Sequence, residues 1–494
     1  ISIPAFIRAI IIVSLLIPLS AISKSALSQP QNIVFILSDD HRYDYMGFHP
    51  DSPDFLNTPA MDRMAAEGAH LANAFVSTSL CSPSRASILT GQYPFRHRVV
   101  DNQNEMPEGT PLFSEALQRA GYTTGYFGKW HIGHASDDPQ PGFDRWVSFR
   151  GQGVYYNPTL NFDGERREQV QGYTSDLLTD YALQFLEEGR DQEKPFMVYL
   201  SHKAVHAEFY PAERHSGVYS DADIPRPQSM KNIEQNYEGK PDWVREQRYS
   251  WHGVEHMYHN RDDHPQSLEE IITDYSETLM GVDESIERVL DYLEQNGLAD
   301  NTLVIYMGDN GFMLGEHGLI DKRQAYEESM RVPMLAWAPG FIEAGSRIEE
   351  NIMNIDITPT FLDLAGGAMP EGHEVDGRSF LKLLAGEQVD DWRDQFVYQY
   401  FWEHSFPHTP TTYAIRGDRY KYIYYHGVWD ANELYDLKTD PREMHNLIDI
   451  PAHQERVKSM REQMFDIFEA NGATDVRFRR PSEFQADERV IHPD

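Results

Sequence analysis

Four short runs without a charged residue, 33–37, 123–127, 196–200 and 302–307, constrain this chain more than any other feature. Runs of that length read as strands buried on both faces, and helical patterns separate them. Strands alternating with helices predict an α/β fold with a large, mostly parallel or mixed sheet flanked by helices. The clearest helical pattern covers residues 268–296. There Leu268, Ile271, Ile272, Tyr275, Leu279, Val282, Ile286, Val289, Leu290 and Leu293 follow the 3.6-residue period, and Gly297 suits a C-terminal cap.

The 494 residues suffice for one large domain with an appendage. Residues 29–385 form the expected α/β domain. Within it, 206–265 is rich in charge, His, Tyr and Pro, lacks periodicity, and reads as an insertion near the mouth of a site. After residue 386 the pattern changes. Runs at 396–402, 411–416 and 420–425 predict antiparallel strands, and a helix is expected over 452–470, so 386–494 reads as a smaller α+β subdomain.

At the start, Arg8 precedes an apolar run at 9–19 and small residues Ser25, Ala26 and Ser28. That is a secretory signal pattern, and residues 1–28 are expected to be a signal peptide. The run is shorter than the roughly 20 residues of a membrane span. A secreted or periplasmic protein without a stable membrane span is the expectation. With 43 Lys+Arg against 78 Asp+Glu, the net charge of −35 disfavours nucleic-acid binding. The single cysteine, Cys81, excludes an intrachain disulfide.

In open parallel sheets ligands bind beyond the carboxyl ends of the strands. The four runs are followed there by Asp39-Asp40-His41, by Lys129-Trp130-His131, by His202, Lys203 and His206, and by Asp309-Asn310-Gly311. Asp39, Asp40, Asp309 and Asn310 offer only oxygen donors, a set that favours Ca²⁺ or Mg²⁺ over Zn²⁺. Arg85, Lys129 and Lys322 suit a tetrahedral oxyanion beside a metal. His131, His202 and His206 are acid–base candidates. Cys81 precedes Pro83 and Arg85, with Pro83 near the first position of an expected helix. A helix N-terminus there favours an anion, and Arg85 lies one turn on, facing the same way. From these residues alone Cys81 is either a thiolate nucleophile or an inert buried side chain.

Cys81-x-Pro83-x-Arg85 with Leu89-Thr90-Gly91 resembles the signature of type I sulfatases, a formylglycine-dependent branch of the alkaline phosphatase superfamily. Leu37-Ser38-Asp39-Asp40, Gly128-Lys129-Trp130-His131, Val205-His206, Gly308-Asp309-Asn310-Gly311 and Gly315-Glu316-His317-Gly318 up to Lys322 resemble further blocks in the family's order, as does Glu433-Leu434-Tyr435-Asp436-Leu437 with Asp440-Pro441. Gln92 stands where the family often has Arg, and Ala207-Glu208 where it often has a Pro. The resemblance implies an alkaline phosphatase-like fold and conversion of Cys81 to formylglycine by a maturation enzyme. It further implies Ca²⁺ held by Asp39, Asp40, Asp309, Asn310 and residue 81. Arg85 and Lys129 would then stabilise the hydrated formylglycine and the sulfate, His131 would assist release, and His206 and Lys322 would bind sulfate and protonate the leaving oxygen.

The nearest alternative is a phosphoester or phosphonate ester hydrolase of the same superfamily. Those usually carry Asp-His in the second metal block, where this chain has Asp309-Asn310. An inactive sulfated-glycan-binding protein is the distant alternative, favoured by loss of Cys81, Arg85 or a metal Asp, none of which is lost. The expected substrate is an algal-type sulfated polysaccharide, such as ulvan or carrageenan, or its oligosaccharides, with glycosaminoglycan or aryl sulfates as alternatives. His202, Arg96, His97, Gln152, Arg245, Arg248, Trp251 and His404 are the candidate sugar contacts.

Overall fold

The four runs become four adjacent strands at the centre of a ten-stranded mixed sheet. A computed structural model describes residues 29–133, 136–256, 266–427 and 432–473. The expected signal segment, the end of the insertion (257–265) and residues 474–494 of the expected C-terminal subdomain lie outside the described residues. In chain order the strands are β1 (Asn32–Ser38), β2 (Ala69–Phe75), β3 (Thr123–Lys129), β4 (Arg145–Phe149), β5 (Thr159–Phe162), β6 (Arg166–Gln169), β7 (Phe196–Ser201) and β8 (Thr302–Gly308). A short hairpin follows, β9 (Met313–Leu314) and β10 (Ile320–Asp321), then β11 (Met334–Trp337) and β12 (Ser346–Met353). The last four are β13 (Gln395–Tyr400), β14 (Thr412–Gly417), β15 (Tyr420–Tyr425) and β16 (Glu433–Asp436).

The large sheet runs β12-β2-β11-β8-β1-β7-β3-β4-β5-β6. Its middle, β8-β1-β7-β3-β4, is parallel throughout, while β11 and β5 join antiparallel on either side. Ser38 lies opposite Gly308, and Leu37 and Gly128 both lie opposite Ser201. The carboxyl ends of the four predicted strands are therefore flush.

Alternation along each strand feeds two cores. Val34 and Ile36 of β1, with Val198 of β7 and Val304 of β8, pack beneath the long helix Leu268–Gln295. Ile33, Phe35 and Leu37 face the other way, towards Phe113, Ile357 and Phe361. Covering both faces explains why these strands carry no polar side. The long helix opens on Ser267, whose hydroxyl accepts from Glu270 N while the Glu270 carboxylate accepts from Ser267 N at 2.7 Å. It closes as the sequence predicts: Gly297 takes φ +65°, and Leu298 N donates to Leu293 O at 2.8 Å.

The C-terminal sheet is antiparallel, β13-β14-β15-β16, and the helix Gln454–Ala470 covers one face through Met460, Met464 and Phe468. Its other face packs on the α/β domain through Phe396, Tyr398 and Ile423 against Phe75, Leu80 and Met330. The described part of the insertion contains a 3-10 turn, Gln228–Met230, and two short α-helices, Glu234–Tyr237 and Asp242–Gln247, which the aperiodic sequence did not announce. It runs beside the β9/β10 hairpin, where Val254 N donates to Gly318 O at 3.1 Å. Among the described residues, no helix is long and apolar enough to cross a membrane.

Candidate active site

The groups of the site project from the flush carboxyl edge and from the helix opposite it, except Lys322, which follows the β9/β10 hairpin. That helix, Cys81–Thr90, starts two residues earlier than the position of Pro83 suggests, so Pro83 is its third residue. Proline is still tolerated there, because the first four N–H groups of a helix have no intrahelical acceptor. Leu80, the capping residue, offers no side-chain cap, and Asn102 Oδ1 accepts from Ser82 N at 3.0 Å instead. Cys81 is fully buried at this N-terminus, with Sγ 3.4 Å from Asp39 Oδ1 and 3.1 Å from Lys322 Nζ.

Arg85, one turn along, organises the floor. Its Nε donates to Asp309 Oδ2 at 2.9 Å, Nη2 to Asp39 Oδ2 at 3.0 Å, and Nη1 to Lys129 O at 2.6 Å and Ser201 Oγ at 2.7 Å. One guanidinium thus joins β1, β3, β7 and β8. Lys129 Nζ donates to Asp39 Oδ2 and Gln152 Oε1, and Lys322 Nζ to Asp40 Oδ1. Lys129 reaches the floor because β3 passes close to β7: a Cβ on Gly128, at φ +125°, would stand 1.8 Å from Ser201 O. His206 Nε2 stands 3.9 Å from Asp40 Oδ2. His131 is buried, and its carbonyl accepts from Ser82 Oγ at 2.6 Å.

Ligand oxygens of Asp39, Asp40 and Asp309 lie within 4.8 Å of one another. Burial opposes ionisation of Asp39, yet Lys129, with Arg85 and Lys322, holds it well below the usual carboxylate range. Asp40 is pushed up to about 7 by burial and by Asp39 and Asp309, against Lys322, and Asp309 is also raised, by burial and by Asp39. Crowded carboxylates of this kind are relieved by a cation. Asp40 Oδ2 and Asn310 Oδ1 are both buried without a hydrogen-bond partner, while Asn310 Nδ2 is engaged by Asp40 Oδ1 at 2.6 Å and Gly311 O at 2.9 Å. Acceptors without donors, all of them oxygen, fit a hard divalent ion. Burial pushes the Cys81 thiol up, with Asp39 adding to the effect, which weighs against a thiolate at this position.

The structure brings together Asp39, Asp40, Cys81, Arg85, Lys129, His131, His206, Asp309, Asn310 and Lys322, with Gln152 beside Lys129. The other candidate sugar contacts are placed elsewhere or already paired. His202 is buried against the long helix, bonded to Ser285 Oγ at 3.0 Å. Arg96 pairs with Glu374 and Asp376, and buried His97 bonds Ser87 Oγ at 3.0 Å. Arg245 pairs with Glu234 and Arg248 with Glu255, Trp251 packs half-buried on the main core, and His404 sits against Trp402. Two arrangements were not announced by the sequence: the setting of Lys203, which the sequence places only at a strand end, and a charged cluster beside Lys322. Lys203 is buried over the Tyr155 ring at 4.4 Å and pushed down to about 7 by burial and by Lys129. Beside Lys322, Arg323 pairs with Asp321 and with Glu403 at 2.8 Å, and His252 with Asp321 at 3.2 Å. Glu403 lies in a stretch without a motif, so no local signal pointed to it.

The sulfatase family profile matches residues 31–368, and the profile of the N-sulphoglucosamine sulphohydrolase C-terminal region matches 315–470. An N-acetylglucosamine-6-O-sulfatase of Bacteroides thetaiotaomicron is 33% identical over 97% of this chain and 94% of its own length. A protein solved in complex with its substrate D-glucosamine-2-N,6-O-disulfate is 32% identical, with a TM-score of 0.82 over 91% of this chain and 99% of its own. The phosphonate monoester hydrolase of Agrobacterium radiobacter, 20% identical with a TM-score of 0.73 over 89% of this chain and 96% of its own, shares the fold. With the profile covering most of the sequence, this chain belongs to the type I sulfatases of the alkaline phosphatase superfamily, hydrolases of sulfate esters.

Proposed function

We propose that this sulfatase removes the 6-O-sulfate of a glucosamine unit in a sulfated oligosaccharide, outside the cytoplasm, using Ca²⁺ and a formylglycine made from Cys81. One observation carries the catalytic part: residue 81 lies at the meeting point of an oxygen-only cluster and of two lysines, Lys129 and Lys322, on opposite Asp residues. The amino sugar is supported by the two relatives aligned over nearly the whole chain, whose names specify glucosamine sulfates. That support outweighs the algal polysaccharide expected from composition, since net charge carries no information about which sugar is bound. The signal-like pattern over residues 1–28 supports export.

Asp39, Asp40, Asp309 and Asn310 would hold the ion together with residue 81. Bound there, the ion supplies Lewis acidity toward a sulfate oxygen, and formylglycine supplies a hydroxyl nucleophile. Arg85 and Lys129 fix the position of residue 81 and place positive charge where oxyanion charge grows. Lys322 and His206, both beside Asp40, would bind the sulfate and protonate the leaving oxygen. Burial first, then Lys129 and Lys322, keeps the His206 ring well below its ordinary pKa. In this reading His206 binds as a neutral ring, and Lys322, kept protonated by Asp40 against its burial, carries the proton. Arg323, Asp321 and Glu403 form a charged wall next to Lys322, suited to hydroxyls of a sugar.

The test is a desulfation panel with protein produced alongside a maturation enzyme. N-acetylglucosamine-6-sulfate and glucosamine-2-N,6-O-disulfate are expected to be desulfated at the 6-position. Mass spectrometry of the residue-81 peptide should show an aldehyde in place of the thiol. Turnover of carrageenan or ulvan oligosaccharides alone would overturn the sugar assignment, and full activity with an intact thiol would overturn the formylglycine.

A further inference from the structure

A cavity of about 470 Å³ opens where three distant stretches meet: residues just after β1, residues 225–229 of the insertion, and residues 439–444 of the C-terminal part. None of Cys81, Lys129, His206 or Lys322 lines it. Its wall carries Asp44, Asp51, Glu316, Glu328 and Asp440 against Arg42, Arg226 and Arg442. At the inner end Arg42 is neutralised, donating to both oxygens of Asp44 and to Glu316 Oε1, each at 2.8 Å.

Glu328 differs from these. It is 1% exposed, and its Oε2 has no hydrogen-bond partner. Burial and the adjacent Glu316 push it up to about 7. Its contact with a cation is Arg442 Nη1, 3.4 Å from Oε1, and the same Arg442 stands 3.7 Å from both Asp44 and Asp51. Those separations exceed a good charge-assisted hydrogen bond, so Arg442, 42% exposed at its side chain, leaves Glu328 without a close cationic partner, whereas Asp44 is held by Arg42. A buried acceptor that faces a cavity and lacks a donor is a binding feature in search of an N–H or O–H group.

The rest of the wall narrows the donor's chemistry. The Arg42, Asp44 and Glu316 group presents guanidinium N–H groups beside carboxylate oxygens, the pairing that a hydroxyl, both donor and acceptor, satisfies. Tyr45, Ile272 and Leu314 add apolar surface. The volume lies within the roughly 300–1,000 Å³ of small-molecule pockets. A bare metal ion fits poorly, because Asp44 and Glu316 are held by Arg42. We propose that this cavity binds a small polyhydroxylated primary amine, of the amino-sugar class, with its ammonium on Glu328 and its hydroxyls on the Arg42, Asp44 and Glu316 group. None of the groups placed in the catalytic centre lines this cavity, and the proposal stands whether or not the reading of that centre holds.

Calorimetric titration of the full chain tests it, with D-glucosamine, D-glucose and CaCl₂ as probes. Glucosamine is expected to bind wild type and His206→Ala alike, and glucose about tenfold or more weakly, since one charge-assisted hydrogen bond separates them. Glu328→Gln should erase that preference. Thr439→Trp, a change at an exposed rim position, should weaken both sugars without touching the buried charges. Equal binding of glucose and glucosamine would overturn the proposal. So would glucosamine binding lost in His206→Ala but kept in Glu328→Gln, which would place it in the catalytic centre. Calcium displacing glucosamine from wild type but not from Glu328→Gln would make the cavity a metal site instead.

Discussion

Arg85 does at the residue scale what no other side chain here can. Its fork reaches two carboxylates, a carbonyl and a hydroxyl at once, on four strand ends. Lysine keeps the charge but presents a single ammonium without that planar geometry. Arg85→Lys is therefore expected to lower kcat by roughly 10²–10³, the cost of an oriented donor in a buried site. Kinetics on matured protein check this, alongside aldehyde content at residue 81, which must be unchanged for the comparison to count. The oxygen-only cluster carries its own prediction. Exhaustive chelation should abolish turnover, and Ca²⁺ should restore it where Zn²⁺ does not, because zinc favours nitrogen and sulfur donors, and beside the three carboxylates the site offers only His206 and, before maturation, the Cys81 thiol. Recovery with zinc alone would refute the calcium assignment.

At the scale of elements, the long helix Leu268–Gln295 does more than cover the sheet. Asp283, in its middle, accepts from Met61 N at 2.9 Å and Ala60 N at 3.1 Å, capping the helix Pro59–Glu67, for which Thr58 supplies no side-chain cap. Asp283→Ala should cost about 1–2 kcal/mol in urea unfolding, the range for lost caps, and Asn should recover much of it. The same helix holds His202 through Ser285. Burial lowers the His202 ring from 6.5 to about 4, so the folded protein keeps it neutral while the unfolded chain takes up a proton below 6.5. Its contribution is present above pH 6.5 and is lost as pH falls through about 4. His202→Gln should therefore show a smaller fall in Tm between pH 7 and pH 4 than wild type does. An identical fall in both proteins would rule out this linkage.

The whole molecule is held together by buried charge as well as by its cores. Lys421 of β15, fully buried, stands 2.6 Å from Glu443 and 3.1 Å from Glu327, which also pairs with Arg416 of β14 at 3.2 Å. Lys240, from the insertion, donates to Tyr435 Oη at 2.5 Å and Glu443 O at 2.9 Å, between the rings of Tyr326 and Tyr435. The α/β domain, the insertion and the C-terminal sheet thus share one network. Lys421→Met leaves two buried carboxylates without their ammonium and should destabilise by about 3–5 kcal/mol. Unfolding followed separately in the two sheets is expected to show one transition, and two resolved transitions would mean the sheets are independent units.

Much of the catalytic design was legible along the chain because it is local. Charge-free runs have to be buried strands, residues directly after such strands have to stand at the sheet's edge, and Cys81 and Arg85 have to share a helix face at a spacing of one turn. What the sequence alone determined was accordingly the α/β class, the four central strands, the long helix with its cap at Gly297, and the strand-end residues and the Cys81–Arg85 pair that meet at the sheet edge. Tertiary structure decided the rest: that His202 turns to the long helix while Gln152 turns to Lys129, that Glu403 pairs with Arg323 next to Lys322, that Asp283 caps a remote helix, and that Glu328 lines a cavity. Each of these joins residues far apart in sequence. Charged or polar side chains of that kind carry no periodic signal, and their partners are chosen only when packing brings the segments together.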